Sequence, residues 1–272
     1  MAAMPTDILR IALLHLGPRP GDLTFNRALI HRAVAVAARV GAHWAIAPEL
    51  AVCGYRFAAR IGTDWIAPQP DPWLTDLAGT VRQLGLALFL SLPERDATSG
   101  RVHNTVFLLG RDGTVTRVHR KCCVIPGAES WATPGEDAEP VTADGLRVGA
   151  LICADAAAPA LARRLQEQGA QLLIAPSAWS PGPHGPAGEW EARSAESGLP
   201  VIVCNRTRDE AGLRFSAAES VVVVGGQRRL AARSRTSVVF TFDWDRAAMT
   251  LRSDAFQRAA VRTARVTTKG IG

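Results

Sequence analysis

The sequence predicts an α/β fold of four layers, in which two β-sheets pack face to face and helices cover both outer faces. Short apolar strands alternate with amphipathic helices, and the order β-α-β-α-β followed by antiparallel strands occurs in both halves of the chain. Since both helices of a half must cover one face of its sheet, the other faces of the two sheets are free to meet. An α-β-β-α sandwich with an internal pseudo-two-fold repeat satisfies every apolar face. A doubly wound single sheet is the alternative.

The first half begins with an apolar strand at Ile8–Leu16. Asp22 can cap a helix that runs to about Val40 and stops at Gly41, because Asp accepts from free N–H groups of the first turn and glycine ends a helix. The other elements predicted in this half are the strand His43–Pro48, a helix from Asp71-Pro72 to about Gly85, the strand Leu86–Leu92, and a hairpin of Val102–Leu109 and Thr114–His119 around Arg111-Asp112-Gly113.

The second half repeats the scheme. Its predicted elements are the strands Leu146–Ile152, Leu172–Ala175 and Val201–Cys204, the helices Pro159–Gln168 and Gly188–Ser197, and strands near Ser220–Val224, Arg229–Ala232 and Ser237–Phe242. The Pro- and Gly-rich stretch Ser177–Gly188 reads as a loop and not as a domain linker. We therefore expect residues 1–272 to form one domain, with a C-terminal tail from about residue 252 that the pattern does not place.

The composition narrows the class of protein. Of the 272 residues, 47% are hydrophobic, which is ample for a core and argues against disorder. The 31 Lys and Arg against 25 Asp and Glu give a net charge of +6, but the basic residues are dispersed and no nucleic-acid-binding motif accompanies them. We interpret the charge mainly as solvated surface. Nucleic-acid binding is an alternative that only the charge supports, and we expect no nucleic-acid partner.

The cysteines and the N-terminal residues indicate a cytoplasmic protein. The five cysteines are an odd number, so intramolecular disulfides cannot pair all of them, and no C-x-x-C pair offers a zinc spacing. The first residues lack the basic start and apolar stretch of a signal peptide. No apolar run approaches the roughly 18 residues of a membrane span. We expect a reducing compartment and no membrane association.

Three segments carry side chains suited to nucleophilic chemistry. Glu49 follows one buried strand, Cys153 ends another, and Lys121 follows the hairpin. Catalytic sites of α/β sheets gather at the carboxyl ends of strands, so these three side chains could converge there. Attack on a carbonyl or nitrile carbon needs a thiolate, whose proton a carboxylate can take and then return to the leaving amine. An ammonium and a backbone N–H can stabilise the negative oxygen of the tetrahedral intermediate.

These segments resemble the nitrilase superfamily of carbon–nitrogen hydrolases. The family pattern is P-E-x-x-x-x-G-Y, then His or Tyr followed by Arg-Lys and a downstream Glu, then G-x-x-I-C-x-D. This chain has Pro48-Glu49…Gly54-Tyr55, His119-Arg120-Lys121…Glu129 and Gly149…Ile152-Cys153-Ala154-Asp155, with a weaker echo at Asn104-Thr105. The resemblance spans roughly residues 8–242. Each motif is weak alone, but three in the right order and spacing are specific, and the family fold is the same α-β-β-α sandwich.

The resemblance implies a role for each site residue. Glu49 is the general base and acid, Lys121 the oxyanion donor, and Cys153 the nucleophile. Ala154 lends its backbone N–H to the oxyanion hole, and Glu129 orients Lys121 or the incoming water. The implied reaction forms a thioester at Cys153, releases ammonia or an amine, and hydrolyses the thioester with water. It needs no cofactor and no metal.

The residues that select the substrate are less well defined. The candidates for the substrate pocket are Tyr55, Trp131, Trp179 and Asn205. Members of the family often carry an aromatic or polar side chain directly after the nucleophile, where this chain has Ala154, so we expect a roomier or less polar pocket. Asp155 is expected to hold the loop after the nucleophile by accepting backbone N–H bonds, rather than to take part in the chemistry.

The leading hypothesis is hydrolysis of a non-peptide C–N bond in a small carboxamide or N-carbamoyl compound. The alternatives are acyl transfer, in which an amine intercepts the thioester, nitrile hydrolysis, and a binding protein that keeps the fold without turnover. The missing membrane spans disfavour the lipoprotein N-acylation known in this family. The resemblance also implies a homodimer or larger homo-oligomer that associates through helices beside the active site.

Overall fold

A computed structural model describes residues 7–262 and confirms the predicted sandwich of two sheets between two layers of helices. The strands formed by these residues are β1 Ile8–His15, β2 Trp44–Ile46, β3 Ala87–Arg95, β4 Val102–Leu109, β5 Val115–Arg120, β6 Val141–Ala143, β7 Leu146–Ala150, β8 Leu172–Ser177, β9 Val201–Asn205, β10 Ser220–Val224, β11 Gln227–Ala232, β12 Val238–Asp245, β13 Thr250–Leu251 and β14 Gln257–Ala260. The helices are α1 Leu23–Arg39, α2 Ala58–Ile61, α3 Pro72–Leu84, α4 Pro159–Glu167 and α5 Glu189–Ser197. Short 3-10 turns cover Cys153–Ala157 and Phe215–Ala217.

Two sheets form the inner layers. The first has the order β13-β12-β1-β2-β3-β4-β5, and β14 also pairs with β12. The second has the order β11-β10-β9-β8-β7-β6. Strands β1, β2 and β3 run parallel in the first sheet, and β7, β8 and β9 run parallel in the second. Each half of the chain therefore contributes one central parallel trio, as the repeated pattern predicts.

The helices bury their apolar stripes on the outer faces of the sheets. Leu29 of α1 and Leu77 of α3 belong to a core cluster on the first sheet. Leu165 of α4 and Trp190 of α5 belong to a separate cluster on the second sheet. Full burial of a large apolar side chain contributes about 1.5–3 kcal/mol relative to exposure, so these contacts fix where each helix lies.

Capping residues start the two long helices at the predicted places. Oδ1 of Asp22 accepts from the backbone N–H of Phe25 at 3.0 Å. Oδ1 of Asp71 accepts from the backbone N–H of Leu74 at 2.7 Å, and Pro72 occupies the first helical position. Each cap satisfies one of the N–H groups that the first turn leaves without a partner.

The strand predicted at Ser237–Phe242 belongs to the first sheet and not to the second. As β12 it pairs antiparallel with β1 along its whole length. An apolar strand pattern predicts burial but does not specify the partner, and the free edge of β1 takes this strand. Both faces of β12 are covered, because Trp244 packs in the core between the sheets while Val239 packs in the cluster beneath α1 and α3.

The predicted tail extends the first sheet as far as the structure describes it. Strand β14, within the tail, pairs antiparallel with β12, as does β13 directly before the tail. Residues 263–272 lie outside the described part of the chain. No helix within residues 7–262 is long and apolar enough to cross a membrane.

Candidate active site

The loops at one end of the sandwich bring together Glu49, Lys121 and Glu129, with Cys153 close enough for its thiol to sense their charges. Glu49 lies just after β2, Lys121 directly follows β5, and Cys153 lies just after β7. These side chains are buried in the protein, with Glu49 0%, Lys121 1% and Cys153 5% exposed. Glu49 and Lys121 come from the first sheet and Cys153 from the second, so the site lies where strand ends of both sheets meet.

Lys121 lies between two carboxylates. Its Nζ donates to Oε1 of Glu49 at 2.7 Å and to the two oxygens of Glu129 at 2.7 and 2.8 Å. The backbone N–H of Ile125 donates to Oε2 of Glu129 at 2.9 Å and ties that carboxylate to its own loop. Charge-assisted hydrogen bonds of this length hold the ammonium in one position.

Asn104 is a buried member of this cluster to which the sequence motifs assign no role. Its Nδ2 donates to Oε1 of Glu49 at 2.9 Å and reaches Oε1 of Glu129 at 3.4 Å. The hydroxyl of Ser91 donates to Oδ1 of Asn104 at 3.1 Å. The available signal is the run of three polar residues His103-Asn104-Thr105 inside the otherwise apolar strand β4, because a buried amide must find hydrogen-bond partners.

The cluster places two carboxylates beside one ammonium in a buried space. Burial lowers the pKa of Lys121, but the negative charges of Glu49, Cys153 and Glu129 outweigh burial and raise it well above its ordinary value. Burial and the charge of Glu49 raise the pKa of Glu129 to about 7. Glu129 therefore changes charge near neutral pH.

Cys153 lies at a sharp turn between strand and helix. Its φ of 51° is in the left-handed region, which costs a residue other than glycine roughly 1–3 kcal/mol and is common at active sites. Burial and the charge of Glu49 raise the pKa of the Cys153 thiol well above its usual range. Cys153 is thus a neutral thiol at rest and would need a base to take its proton before it could act as a nucleophile.

One backbone N–H links Glu49 to Cys153. The N–H of Ala178, just after β8, donates to Oε2 of Glu49 at 3.0 Å. The same backbone group favours the thiolate form of Cys153, since it lowers the pKa of the thiol against the larger effect of burial. The backbone at the end of β8 thereby contacts both Glu49, which follows a strand of the first sheet, and Cys153, which follows a strand of the second.

A cavity of about 640 Å³ opens onto Cys153 and Ala154. Apolar side chains, among them Ile125 and Leu213, form much of its wall. Arg56 and His184 add polar groups. This volume lies within the range of about 300–1,000 Å³ that is usual for small-molecule sites. Cys153 is therefore accessible to a small ligand, although little of its surface is exposed.

Two of the four pocket candidates line this cavity and two do not. Tyr55 and Trp179 are lining residues. Trp131 packs edge-on against Phe57, with ring centroids 4.9 Å apart. Asn205 is fully buried and accepts from the backbone N–H of Trp179 at 3.2 Å while donating to its carbonyl at 2.9 Å. Asn205 therefore supports the wall that Trp179 forms.

Comparison with known proteins identifies the family of this chain. The sequence model of the carbon–nitrogen hydrolase family matches residues 10–250. The chain belongs to the carbon–nitrogen hydrolase family. A hydrolase of the pqqF 5′ region of Pseudomonas protegens is 29% identical, over 86% of this chain and 83% of its own length. An (R)-stereoselective amidase of Pseudomonas sp. is also 29% identical, over 79% of this chain and 77% of its own.

Solved structures of carbon–nitrogen hydrolases agree with this membership. An amidase from Nesterenkonia sp. superposes with a TM-score of 0.77 at 28% identity, covering 90% of this chain and 94% of its own. A variant of the Nesterenkonia sp. AN1 amidase is in complex with butyramide. Another shows covalent addition of the acetamide moiety of fluoroacetamide at the active site cysteine. The resemblance to the nitrilase superfamily is confirmed, and these relatives support hydrolysis of amide C–N bonds.

Asp155 secures the turn that carries Cys153 in this carbon–nitrogen hydrolase. Its Oδ1 accepts from the backbone N–H groups of Cys122 at 3.0 Å and Cys123 at 2.7 Å. Its Oδ2 accepts from the backbone N–H of Ile152 at 2.9 Å and lies 2.8 Å from Nε2 of His119. Burial raises the pKa of Asp155, but these hydrogen bonds, led by that of His119, lower it overall. The carboxylate thus joins the Lys121 loop to the nucleophile turn.

The same residues do not suit a metal ion. His119, Cys122 and Asp155 place donor atoms within 4.8 Å of one another. Both oxygens of Asp155 already accept hydrogen bonds, and burial followed by the charge of Asp155 raises the pKa of the Cys122 thiol to about 12. A cysteine must be a thiolate to bind a metal ion, so the raised pKa of Cys122 favours a role of this group as a hydrogen-bonded support.

Proposed function

We propose that this carbon–nitrogen hydrolase hydrolyses small carboxamides through a thioester on Cys153, with Glu49 and Lys121 completing a catalytic triad. The observation that carries the proposal is the buried Glu49–Lys121–Glu129 cluster beside a thiol that opens into a cavity. A neutral amide suits a cavity with much apolar wall, and the relatives that bind or cleave amides support that substrate class.

The first half of the reaction breaks the C–N bond. Glu49 accepts the thiol proton while the sulfur of Cys153 forms a bond to the amide carbon. The carbonyl oxygen becomes an oxyanion, which the ammonium of Lys121 and the backbone N–H of Ala154 stabilise. Glu49 then gives its proton to the nitrogen, the C–N bond breaks, and ammonia leaves a thioester behind.

The second half restores the enzyme. Glu49 accepts a proton from a water molecule, and the resulting hydroxide adds to the thioester carbon. The oxyanion forms again beside Lys121 and collapses with cleavage of the C–S bond. Glu49 returns the proton to the sulfur of Cys153, and a carboxylic acid leaves. The sum is one amide plus one water giving one acid and one ammonia.

The cluster explains why Lys121 serves as an oxyanion donor rather than a base. Its raised pKa keeps it an ammonium throughout the working pH range. Loss of one donor from an oxyanion hole typically costs about 10²–10³ in rate. Glu129 holds the ammonium in place through two hydrogen bonds and leaves Glu49 to move the proton.

The test is a panel of butyramide, an N-carbamoyl amino acid and butyronitrile against purified protein. We expect ammonia release from the amide and a trapped acyl adduct on Cys153, detected by intact-protein mass spectrometry. Cys153→Ala abolishes both, and Glu49→Gln loses turnover while retaining the folded near-UV spectrum. Cys204→Ala is the matched control, because Cys204 is also buried but lies outside the cavity wall.

Full turnover by Cys153→Ala would exclude the thioester mechanism. A higher rate with the N-carbamoyl compound would identify an N-carbamoyl amidohydrolase, and a higher rate with the nitrile would identify a nitrilase. Faster product formation with added hydroxylamine as acceptor than with water would identify an acyltransferase. Absence of any adduct or turnover across the panel would favour the non-catalytic binding protein.

We further propose that the protein is cytoplasmic, forms one domain over residues 1–272 and self-associates. All five cysteines are free, which suits a reducing compartment and an intact nucleophile. The two sheets share one core between them, which supports a single domain. Light scattering at two protein concentrations tests self-association, and a monomer mass at both contradicts it.

A further inference from the structure

A second cavity, of about 1140 Å³, is lined by five arginines and by none of the catalytic residues. We call it the arginine bowl, and its arginines are Arg19, Arg32, Arg208, Arg235 and Arg262. Hydroxyl-bearing residues Thr207, Thr236 and Ser237 also line it, whereas no Asp or Glu of residues 7–262 does. The sequence after residue 262 contains neither Asp nor Glu.

The positive charge of the bowl is largely uncompensated. Arg19 pairs with Asp22 at 3.4 Å, in an exposed contact that contributes little. The other four arginines make no ion pair within 4.0 Å of a carboxylate in residues 7–262. Like charges around one concavity repel each other, so the bowl favours any anion that can contact several of them.

One donor in the bowl is buried without a partner. Nε of Arg32, on the bowl-facing part of α1, has no hydrogen-bond acceptor among the described residues. Leaving a buried donor unsatisfied costs about 1–3 kcal/mol. A ligand oxygen in the bowl would supply the missing acceptor.

The backbone of the bowl is strained at Arg208. Its φ of 71° lies in the left-handed region, which an arginine adopts only at a cost of roughly 1–3 kcal/mol. Its Cβ packs so closely on Gly17 that a Cβ added there would lie 2.9 Å away. Strain of this kind at a non-glycine residue is typical of ligand clamps.

We propose that the arginine bowl binds a compact anion with two or more phosphate groups, at a site separate from the catalytic cavity. Guanidinium groups pair bidentately with phosphate oxygens, so several arginines around one space can contact a di- or triphosphate together. The concave shape favours such a small anion over nucleic acid, which binds to extended basic stripes.

The test is calorimetric titration of the whole protein with inorganic pyrophosphate and tripolyphosphate at constant ionic strength. We expect one anion per chain. The double variant Arg208→Gln/Arg235→Gln weakens the Kd at least about tenfold. The control double variant Arg163→Gln/Arg229→Gln removes the same charge from exposed positions outside the bowl and changes the Kd less than about twofold. Thermal unfolding of both checks that they are folded.

The site is independent of the proposed catalysis, so Cys153→Ala binds pyrophosphate as the wild type does. Equal weakening by the two double variants would overturn the proposal, because it would show that the bowl binds an adventitious ion only, through the net charge of the protein. If citrate binds as tightly as pyrophosphate, the bowl does not select phosphate groups and the proposed ligand class is wrong. Tighter binding of duplex DNA, lost in the same Arg208→Gln/Arg235→Gln variant, would replace a small-anion site with a nucleic-acid surface.

Discussion

Glu129 sets the charge around the general base. Its carboxylate shares Lys121 with Glu49, and burial together with the charge of Glu49 raises the pKa of Glu129 to about 7. Glu129 therefore loses its proton near neutral pH. The proposed activity then depends on the charge of Glu129, because its carboxylate holds the ammonium of Lys121.

Glu129→Gln removes this titrating carboxylate, and we expect the acid limb of kcat/KM to move to lower pH. The sign follows from Glu129 itself: below its raised pKa the wild-type carboxyl is neutral and holds Lys121 less firmly, whereas glutamine has no such titration. We also expect kcat to fall about 10–100-fold, because Lys121 loses the oxygens that hold it. The pH profile measures the shift. Glu136→Gln, an exposed neighbour, is the control, and an unmoved acid limb would contradict this dependence on Glu129.

At the scale of the element, the nucleophile turn depends on contacts from another strand. Asp155 lies within the turn, while three of its four donors come from the end of β5 and the loop after it. The loop that carries Lys121 and the turn that carries Cys153 therefore share one buried anchor. A displacement of that anchor would move Lys121, the proposed oxyanion donor, relative to Cys153, the proposed nucleophile.

Asp155→Asn keeps the size of the anchor but replaces one acceptor oxygen with an NH₂ group. That group faces the N–H donors of Ile152 or Cys123, so we expect the free energy of unfolding to fall by about 1–3 kcal/mol. We also expect kcat to fall about tenfold or more from the displaced turn. Urea unfolding and steady-state kinetics measure the two effects. Asp137→Asn, at an exposed ion pair, should leave both unchanged. An unaltered kcat in Asp155→Asn would disprove the anchoring role.

At the scale of the whole molecule, the core between the sheets joins the two halves. Residues of both sheets belong to one buried cluster, and β12 from the second half of the chain completes the first sheet. The site lies where loops from both sheets meet, since Glu49 and Cys153 come from different sheets. We therefore expect the halves to unfold together.

Trp244→Ala tests that expectation, because Trp244 is fully buried between the sheets. We expect a loss of about 3–5 kcal/mol, typical of deleting a large buried aromatic side chain. Urea unfolding followed by circular dichroism and by fluorescence should give coincident transitions. Trp65→Ala, at a half-buried indole outside this core, should cost less. Separate transitions for the two probes would show that the sheets form independent units.

Much of the fold follows from local pattern, and the exceptions have physical causes. Asp22 and Asp71 cap their helices as predicted, because capping depends on neighbours in sequence. The sheet to which β12 belongs depends on which edge is free, and no pattern within the strand encodes that. Asn104 joins the site through contacts with two loops, so its motif alone assigns it no role.

The sequence by itself determined the chemistry and the architecture, since residue types, spacing and apolar periodicity identified Glu49, Lys121 and Cys153 at strand ends in a four-layer sandwich. The tertiary structure alone decided which side chains share a space. It left Trp131 and Asn205 out of the cavity lining and gathered the arginine bowl from both ends of the chain. The reason is that chemical identity and periodicity are local, whereas proximity depends on which buried faces pack together across the whole chain.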